Sequence, residues 1–346
     1  MEANEQKNEF ALLEQNEPIF CKINYNCEDI AKEKINQENN NDLCYVFGLP
    51  HFLDLSISEP KMLLDPIITE GSLSMVHAYR GIGKTFFAMS IALAIATGSK
   101  FLRWHADNSS KVLYVDGEMS AYSMQQRFNK LVPPLVTTEK QRQSLENLFI
   151  FSADMQPFSF INIEVNHYQD MIDKIIDDNQ IKFIILDNIS SLTTMDELDS
   201  GAWLVVQRWL LSLRQRGVAV LLVHHSGKRG GQRGISKRED ILDMVLSLQD
   251  YSKKKNNQSE ADSDEEDISF GGRCKLIFEK NRNIGDKKKC RNFDIELIDI
   301  DDNMLSWVDV YAEIKRLQRQ GSSCRDIEKI TGISKSKVAE ICKEES

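Results

Sequence analysis

The sequence contains no hydrophobic run long enough to cross a bilayer and no paired-cysteine motif. Its most apolar stretch, residues 86–98, has thirteen residues, whereas a transmembrane helix needs about 20. The N-terminus lacks the basic and apolar segments of a secretory signal. The seven cysteines are scattered without a CxxC pair, which argues against a zinc site and favours reduced thiols. These features predict a cytoplasmic protein without a membrane partner.

Most of the chain also lacks an excess of either charge. The formal net charge of −10 arises from two segments, residues 1–42 with a balance of −6 and residues 250–267 with a balance of −4. The remaining residues carry 36 positive and 36 negative groups, so the acidic total does not exclude a nucleic-acid partner. Residues 1–42 are Asn-rich and lack apolar periodicity, which predicts a disordered acidic tail. Residues 251–268 predict a flexible acidic insert.

Short apolar runs alternate with amphipathic stretches from residue 72 onwards. The apolar runs cover residues 73–79, 111–117, 148–152, 182–187 and 218–225, and a further run covers 244–250. The predicted helices lie near 84–97, 119–131, 167–178 and 201–215. This alternation predicts an α/β fold over residues 43–300, with a mostly parallel sheet covered by helices on both faces. Residues 274–280 and 291–298 predict a hairpin at the sheet edge.

A glycine-rich turn joins the first predicted strand to the most apolar helix. In AYRGIGKT, residues 78–85, Gly81 and Gly83 let the backbone aim several N–H donors at one phosphate. Lys84 can reach the β- and γ-phosphates, and the Thr85 hydroxyl can bind Mg²⁺. The turn is a P-loop with Ala78 in place of the usual first glycine. We therefore predict ATP and Mg²⁺ as cofactors, and a nucleotide site formed by Arg80, Gly81, Ile82, Gly83, Lys84, Thr85 and Phe86.

Two carboxylates follow predicted core strands. Asp187 stands at the tip of FIILD, and the carboxyl edge of such a sheet is where ligands bind. We predict that Asp187 supports Mg²⁺ together with Thr85. Glu118 follows VLYVD, and we predict that it orients and deprotonates the attacking water. The alternatives are that Asp187 caps the next turn and that Glu118 is a first-turn acid of the next helix.

The order of P-loop, glutamate after the next strand and strand-end aspartate resembles that of the RecA-like ATPases. Within that group, the motifs YRGIGKTFFA, VLYVDGEM and FEKNR resemble the RepA-type replicative helicases of plasmids and related mobile-element ATPases. The resemblance covers roughly residues 45–300. It implies a RecA-like P-loop core, Mg²⁺-dependent ATP hydrolysis and a homohexameric ring around single-stranded DNA.

The resemblance also implies roles for two groups of side chains. His225, or its neighbour His224, would be a sensor that contacts the γ-phosphate or the attacking water. Lys280 and Arg282 would reach the γ-phosphate of the neighbouring subunit, with Arg282 acting as an arginine finger in trans. The alternatives are a hydrogen-bonded core histidine and an ordinary charge pair on an edge strand.

Two basic regions are candidates for DNA binding. The loop over residues 226–238 carries Lys228, Arg229 and Arg233 among four glycines, a composition that can grip a nucleic-acid backbone. The alternative is a solvated loop.

The C-terminal region, residues 307–346, predicts a helix-turn-helix DNA-binding module that starts with an amphipathic helix over 307–320. Its predicted apolar positions are Ile327, Ile330, Ile333, Val338 and Ile341, with Gly332 at the turn and Ser334 capping the second helix. Lys335 and Lys337 stand at the start of that helix, where DNA contacts are expected. Glu328 departs from the pattern, because it occupies a position that usually holds a small residue. The alternative is a helical hairpin used for packing or oligomerisation.

Two functions from different classes fit these predictions. The first is an ATP-driven ring motor on DNA, a replicative helicase of the RepA type. The second is a DNA-binding switch in replication, partition or transposition control, in which ATP governs assembly and no strand separation occurs. Both require the same nucleotide site, so the sequence does not separate them.

Overall fold

The computed structural model describes residues 46–158, 160–194, 200–226, 239–250, 272–282, 289–301 and 303–343. The predicted acidic tail and insert lie outside the described residues. So do the predicted DNA-contacting residues Lys228, Arg229 and Arg233. Among the described helices, none is long and apolar enough to span a membrane.

Thirteen strands are present in the described part of the chain. They are β1 (Met62–Leu64), β2 (Ile68–Thr69), β3 (Leu73–Ala78), β4 (Lys100–Phe101), β5 (Trp104–His105), β6 (Val112–Asp116), β7 (Leu148–Ser152), β8 (Phe183–Asp187), β9 (Ala219–His225), β10 (Met244–Asp250), β11 (Arg273–Asn281), β12 (Phe293–Asp301) and β13 (Met304–Asp309). The helices are α1 (Leu49–Asp54), α2 (Lys84–Thr97), α3 (Ala121–Leu135), α4 (Glu139–Gln143), α5 (Asn166–Asn179), α6 (Ser200–Gln215), α7 (Val310–Arg319), α8 (Cys324–Thr331) and α9 (Lys335–Lys343). Short 3₁₀ turns cover Ser144–Asn147 and Ala153–Met155.

Nine of these strands form one sheet in the order β13-β12-β11-β10-β3-β9-β8-β6-β7. The strands from β10 to β7 run parallel, and β11, β12 and β13 extend the sheet in antiparallel fashion. The P-loop strand β3 lies between β10 and β9, and β8 follows β9. The predicted mostly parallel sheet is therefore confirmed, and the predicted edge hairpin gains a third strand, β13.

Two hydrophobic layers cover the sheet. One layer packs α2 and α3 against one face, and the other packs α5 and α6 against the opposite face. Helix α2 is apolar on all sides because it is buried all round. The ring of Phe87 lies at its centre, with ring centroids of Phe101, Trp104 and Trp307 at 5.3, 6.0 and 5.8 Å. Trp307 belongs to β13, so the far edge of the sheet closes over α2.

Three helices end the described chain and share a small apolar core. The first, α7, begins at Val310, so the helix predicted from residue 307 is wrong at its start. Trp307 continues β13 because its ring is buried beside Phe87. The prediction that Ile330 belongs to the core is also wrong, because this residue is 62% exposed. Ile327, Val338 and Ile341 are buried as predicted.

The unexpected Glu328 has a structural role at the start of α9. Its carboxylate accepts a hydrogen bond of 2.9 Å from the backbone N–H of Lys335. A first-turn N–H of a helix needs such an external acceptor. Ser334, the predicted cap, instead lies with its hydroxyl 3.2 Å from that of Ser336. A side chain of α8 therefore fixes the start of α9.

We expect replacement of Phe87 by alanine to lower the free energy of unfolding by about 3–5 kcal/mol, because the cavity would open among aromatic rings that cannot collapse. Tyr122→Ala is the matched control: this ring is exposed, and the change should cost no more than about 0.5 kcal/mol. Urea unfolding of both variants measures the difference. Equal losses would show that the Phe87 cluster does not carry the packing of α2.

Candidate nucleotide-binding site

The P-loop occupies the junction between β3 and α2. Gly81 and Gly83 have φ angles of 85° and 99°, in the left-handed region that favours glycine. Gly83 is restricted a second time by Trp307, since an added Cβ would lie 3.1 Å from the indole ring. The turn therefore requires glycine both for its backbone conformation and for the space left by β13.

Lys84 is buried at the first turn of α2. Its ammonium donates to the backbone carbonyls of Ala78 and Tyr79, at 2.9 and 3.0 Å. Burial lowers the pKa of Lys84 to about 8, while the charges of Asp187 and Glu118 oppose that shift. The side chain thus stays protonated at pH 7 and lies within the field of both predicted catalytic carboxylates.

Asp187 ends β8 beside the P-loop, as predicted. Its carboxylate accepts a hydrogen bond of 2.6 Å from the Tyr114 hydroxyl and another from the Thr85 side chain. Burial raises the pKa of Asp187 above its ordinary value, and the hydrogen bonds from Tyr114 and Thr85 act in the opposite direction. Thr85 and Asp187 are thus adjacent oxygen donors, the kind of group that Mg²⁺ prefers. The sequence did not indicate this contact, because Tyr114 lies within an ordinary apolar run.

Glu118 lies in the turn after β6, which ends at Asp116 rather than at the glutamate. The Asp116 carboxylate accepts from the N–H groups of Glu118 and Met119, at 3.2 and 2.8 Å. Gly117 donates to the carbonyl of Asp187 at 2.9 Å. A Cβ on Gly117 would come within 2.7 Å of Leu192. Close contact between the turns after β6 and β8 therefore fixes the position of Glu118.

Asn188 links the predicted base to the predicted sensor, a contact that the sequence reasoning missed. Its side-chain amide donates to the carboxylate of Glu118 and lies 3.1 Å from His225 Nε2. Burial lowers the pKa of His225, which favours a neutral ring whose Nε2 can accept. The sequence feature that could have pointed to Asn188 is its position directly after Asp187. Glu118, Asn188 and His225 join the ends of β6, β8 and β9.

Glu118, Asp187 and His225 line a cavity of about 290 Å³. Tyr114 and Asn188 contact these residues without lining the cavity themselves. Residues 81–86 line it, whereas Arg80, also predicted for the nucleotide site, is not among its lining residues. The other lining residues are Asp116, Glu118, Met119, Arg127, Asp187, His225 and Leu297. Arg127, from α3, was missed by the sequence reasoning, and its guanidinium lies 4.9 Å from the ring centre of Phe86. His224 is buried and absent from this lining, because adjacent strand residues face opposite sides. Of the two histidines, the structure brings His225 to the cavity.

The cavity fits a nucleoside triphosphate with Mg²⁺ in its chemistry. Left-handed glycines expose backbone N–H groups, Lys84 supplies a buried cation, and Thr85 with Asp187 supplies hard oxygen ligands. Glu118 remains accessible, with its side chain 62% exposed. The arrangement can bind phosphates and present a carboxylate to water.

The two cations predicted to act on a neighbouring subunit lie away from this cavity. Lys280 donates from its ammonium to the backbone carbonyl of Glu239, and Arg282 follows the end of β11. Asn281 pairs with Met244 at the start of β10, whereas the P-loop follows the opposite end of β3. Lys280 and Arg282 are therefore not part of this subunit's own cavity.

The two lysines predicted to contact duplex DNA, Lys335 and Lys337, are exposed at the start of α9. The ammonium of Lys337 donates to Glu340 at 2.8 Å. Both positions remain accessible from solvent, as a DNA contact requires.

Ionisation of Asp116 opposes folding of the nucleotide-free protein. Burial raises its pKa from 3.8 to about 7, so the folded state keeps a proton that the unfolded chain releases near pH 4. This contribution to stability falls as pH rises from about 4 to 7 and stays low above 7. We expect Asp116→Asn, which keeps both N–H acceptor bonds, to raise the melting temperature more at pH 8 than at pH 5.

The exposed Asp170→Asn substitution is the control, and it should change the melting temperature by the same amount at pH 5 and pH 8. Differential scanning calorimetry across this pH range measures both variants. A gain for Asp116→Asn that is equal at pH 5 and pH 8 would contradict the argument.

Residues 47–231, more than half of the chain, match the sequence family described as AAA domain. No curated protein matches the sequence. Solved structures that match include a KaiC-like protein from Pyrococcus horikoshii, with 15% identity, a TM-score of 0.46, and coverage of 71% of this chain and 93% of that chain. By its family match and its P-loop, the chain belongs to the AAA domain family of P-loop ATPases.

Proposed function

We propose that this protein is a Mg²⁺-dependent ATPase that assembles as a hexameric ring on DNA and acts as a RepA-like replicative helicase of a plasmid or mobile element. The observation that carries the proposal is the link from Glu118 through Asn188 to His225, beside Lys84 and the pair Thr85 and Asp187. The base and the sensor, joined by this neutral amide, would then lie beside the γ-phosphate.

Each residue of the site has a defined task in ATP hydrolysis. Lys84 exchanges its two backbone carbonyl partners for phosphate oxygens. Thr85 and Asp187 would hold Mg²⁺, which would neutralise charge on the phosphates. Glu118 orients a water molecule and accepts its proton, while Asn188 holds the carboxylate in place. His225 detects the γ-phosphate from the end of β9.

The ring is proposed because Lys280 and Arg282 lie outside their own subunit's cavity. Both cations belong to the antiparallel extension of the sheet, away from the P-loop edge. A neighbouring subunit is then the partner whose γ-phosphate they would contact, which makes hydrolysis depend on assembly. Single-stranded DNA would bind within the ring, at the basic loop of residues 226–238.

The second candidate, an ATP-switched regulator without unwinding activity, is favoured by the C-terminal helices. They share their own apolar core and expose Lys335 and Lys337 at the start of α9. A unit of this kind suits duplex DNA, the ligand that a regulator recognises. Both candidates share the ATPase site and differ in whether hydrolysis separates strands.

We expect single-stranded DNA to stimulate ATP hydrolysis and the protein to displace a strand from a forked duplex.

Glu118→Gln should lower hydrolysis by about 10²–10⁴-fold, because it removes the base, while ATP binding is retained. Steady-state phosphate release, nucleotide binding and strand displacement are measured on the same preparations.

Glu139→Gln makes the same chemical change at an exposed position and should leave all three measurements unchanged. DNA-stimulated hydrolysis without strand displacement would favour the regulator over the helicase. Full hydrolysis by Glu118→Gln would overturn the assignment of the base.

We expect the double substitution Lys335→Ala, Lys337→Ala to weaken duplex DNA binding and to reduce the slope of log affinity against log salt by about 2, since each phosphate-contacting lysine contributes about 1. The control is Lys329→Ala, Lys343→Ala, which removes the same charge from other exposed positions on α8 and α9. Titrations at several salt concentrations give both slopes. Equal slopes for the two variants would contradict a DNA contact at the start of α9.

A further inference from the structure

A buried histidine connects three strands next to the nucleotide site. His77 is the residue before Ala78 in β3 and is 7% exposed. Its Nδ1 lies 2.8 Å from the hydroxyl of Ser226, the residue after His225. Its Nε2 lies 2.8 Å from the carboxylate of Glu279 in β11. None of the tasks described above uses His77 or Glu279.

Glu279 is the extra residue of a β-bulge. In the pairing of β10 with β11, Val245 lies opposite Lys280 and Leu246 lies opposite Phe278, so Glu279 has no counterpart. A bulge bends a strand and changes the direction of its side chains. The Glu279 side chain reaches back across β10 to His77.

The small side chain of Ser247 makes this reach possible. Ser247 lies on β10, between β11 and β3, and is the residue that pairs with His77. Its hydroxyl hydrogen-bonds Glu279. The hydrogen bond with His77 is the largest factor that lowers the pKa of Glu279. Glu279 is therefore an ionised acceptor, and its side chain is only 23% exposed.

The bulge decides which face of the sheet the following cations occupy. Cys274 and Leu276 point into the hydrophobic layer around α2. In a regular strand, Lys280 and Arg282 would continue on that face, because every second residue points the same way. One extra residue reverses this alternation. Lys280 accordingly donates a hydrogen bond to the backbone carbonyl of Glu239. The charge of His77 is one of those that act on the pKa of the Glu239 carboxyl.

We infer that His77 and Glu279 form a positioning pair that holds this bulge and thereby aims Lys280 and Arg282 at the neighbouring subunit. The inference rests on the proposed trans site and names the residues that set its geometry. Because His77 also contacts Ser226, the pair joins the strand of the sensor histidine to the strand of the arginine finger.

Assemblies of mixed subunits test the inference. His77→Leu removes both hydrogen bonds, and we expect the homogeneous variant to lose at least about tenfold in ATP turnover through misplaced Arg282, with the KM for ATP unchanged. His77→Gln keeps an N–H donor towards Glu279 and should retain most activity. Arg282→Ala is measured in parallel, and His51→Leu is an exposed control.

Each impaired variant is then mixed with an excess of Lys84→Ala subunits. These subunits cannot turn over ATP but carry intact His77, Glu279 and Arg282. A His77→Leu subunit beside such a neighbour regains a correctly aimed finger. We expect turnover per His77→Leu subunit to rise severalfold, as it should for Arg282→Ala.

Three results would overturn the inference. If Arg282→Ala is rescued and His77→Leu is not, His77 acts within its own subunit and the pair does not position the finger. If His77→Leu alone is fully active while Arg282→Ala is impaired, the pair is unnecessary although the trans site stands. Full activity of homogeneous Arg282→Ala would remove the trans site itself, and the inference with it. Should His77→Leu fail to fold, Glu279→Leu takes its place in the same mixtures.

Discussion

The turn between Ala78 and Lys84 is the constraint on which the rest of the structure depends. Gly81 and Gly83 adopt the left-handed backbone that the turn needs, and a Cβ at Gly83 would also collide with Trp307. Trp307 in turn packs on Phe87, so the same indole ring supports the P-loop and the buried helix that follows it. The antiparallel strands thus serve the nucleotide site directly, although they are distant from it along the chain.

Burial and charge are balanced closely around the cavity. Lys84 is buried among backbone carbonyls, and two carboxylates are buried near it with raised pKa values. Such groups are costly to keep without partners. Tyr114 and Thr85 offset part of that cost for Asp187, and backbone N–H groups do so for Asp116. A bound metal ion would partner the buried carboxylates, and bound phosphates would partner Lys84. The site therefore suits a ligand that brings both a cation and negatively charged phosphates.

Two arginines help to connect the C-terminal helices to the ATPase core. Arg103 pairs with Asp309 at the start of α7, and Arg273 of β11 contacts both Glu296 and the carbonyl of Thr331 at the end of α8. Arg273 and Glu279 share β11. The strand that would carry the trans-acting cations is therefore also attached to the helices that would meet DNA.

The sequence by itself determined the local features of this protein. Apolar runs and glycine positions placed the strands, the main helices, the P-loop and Asp187, because strand burial and tight turns depend on neighbouring residues in the chain. Tertiary structure alone decided the contacts between distant segments. These include the amide bridge of Asn188, the phenol of Tyr114, the guanidinium of Arg127, and the strand rather than helix at Trp307. The pair of His77 with Glu279 belongs with them, because a bulge and a contact across an intervening strand depend on register, which no short pattern of residues records.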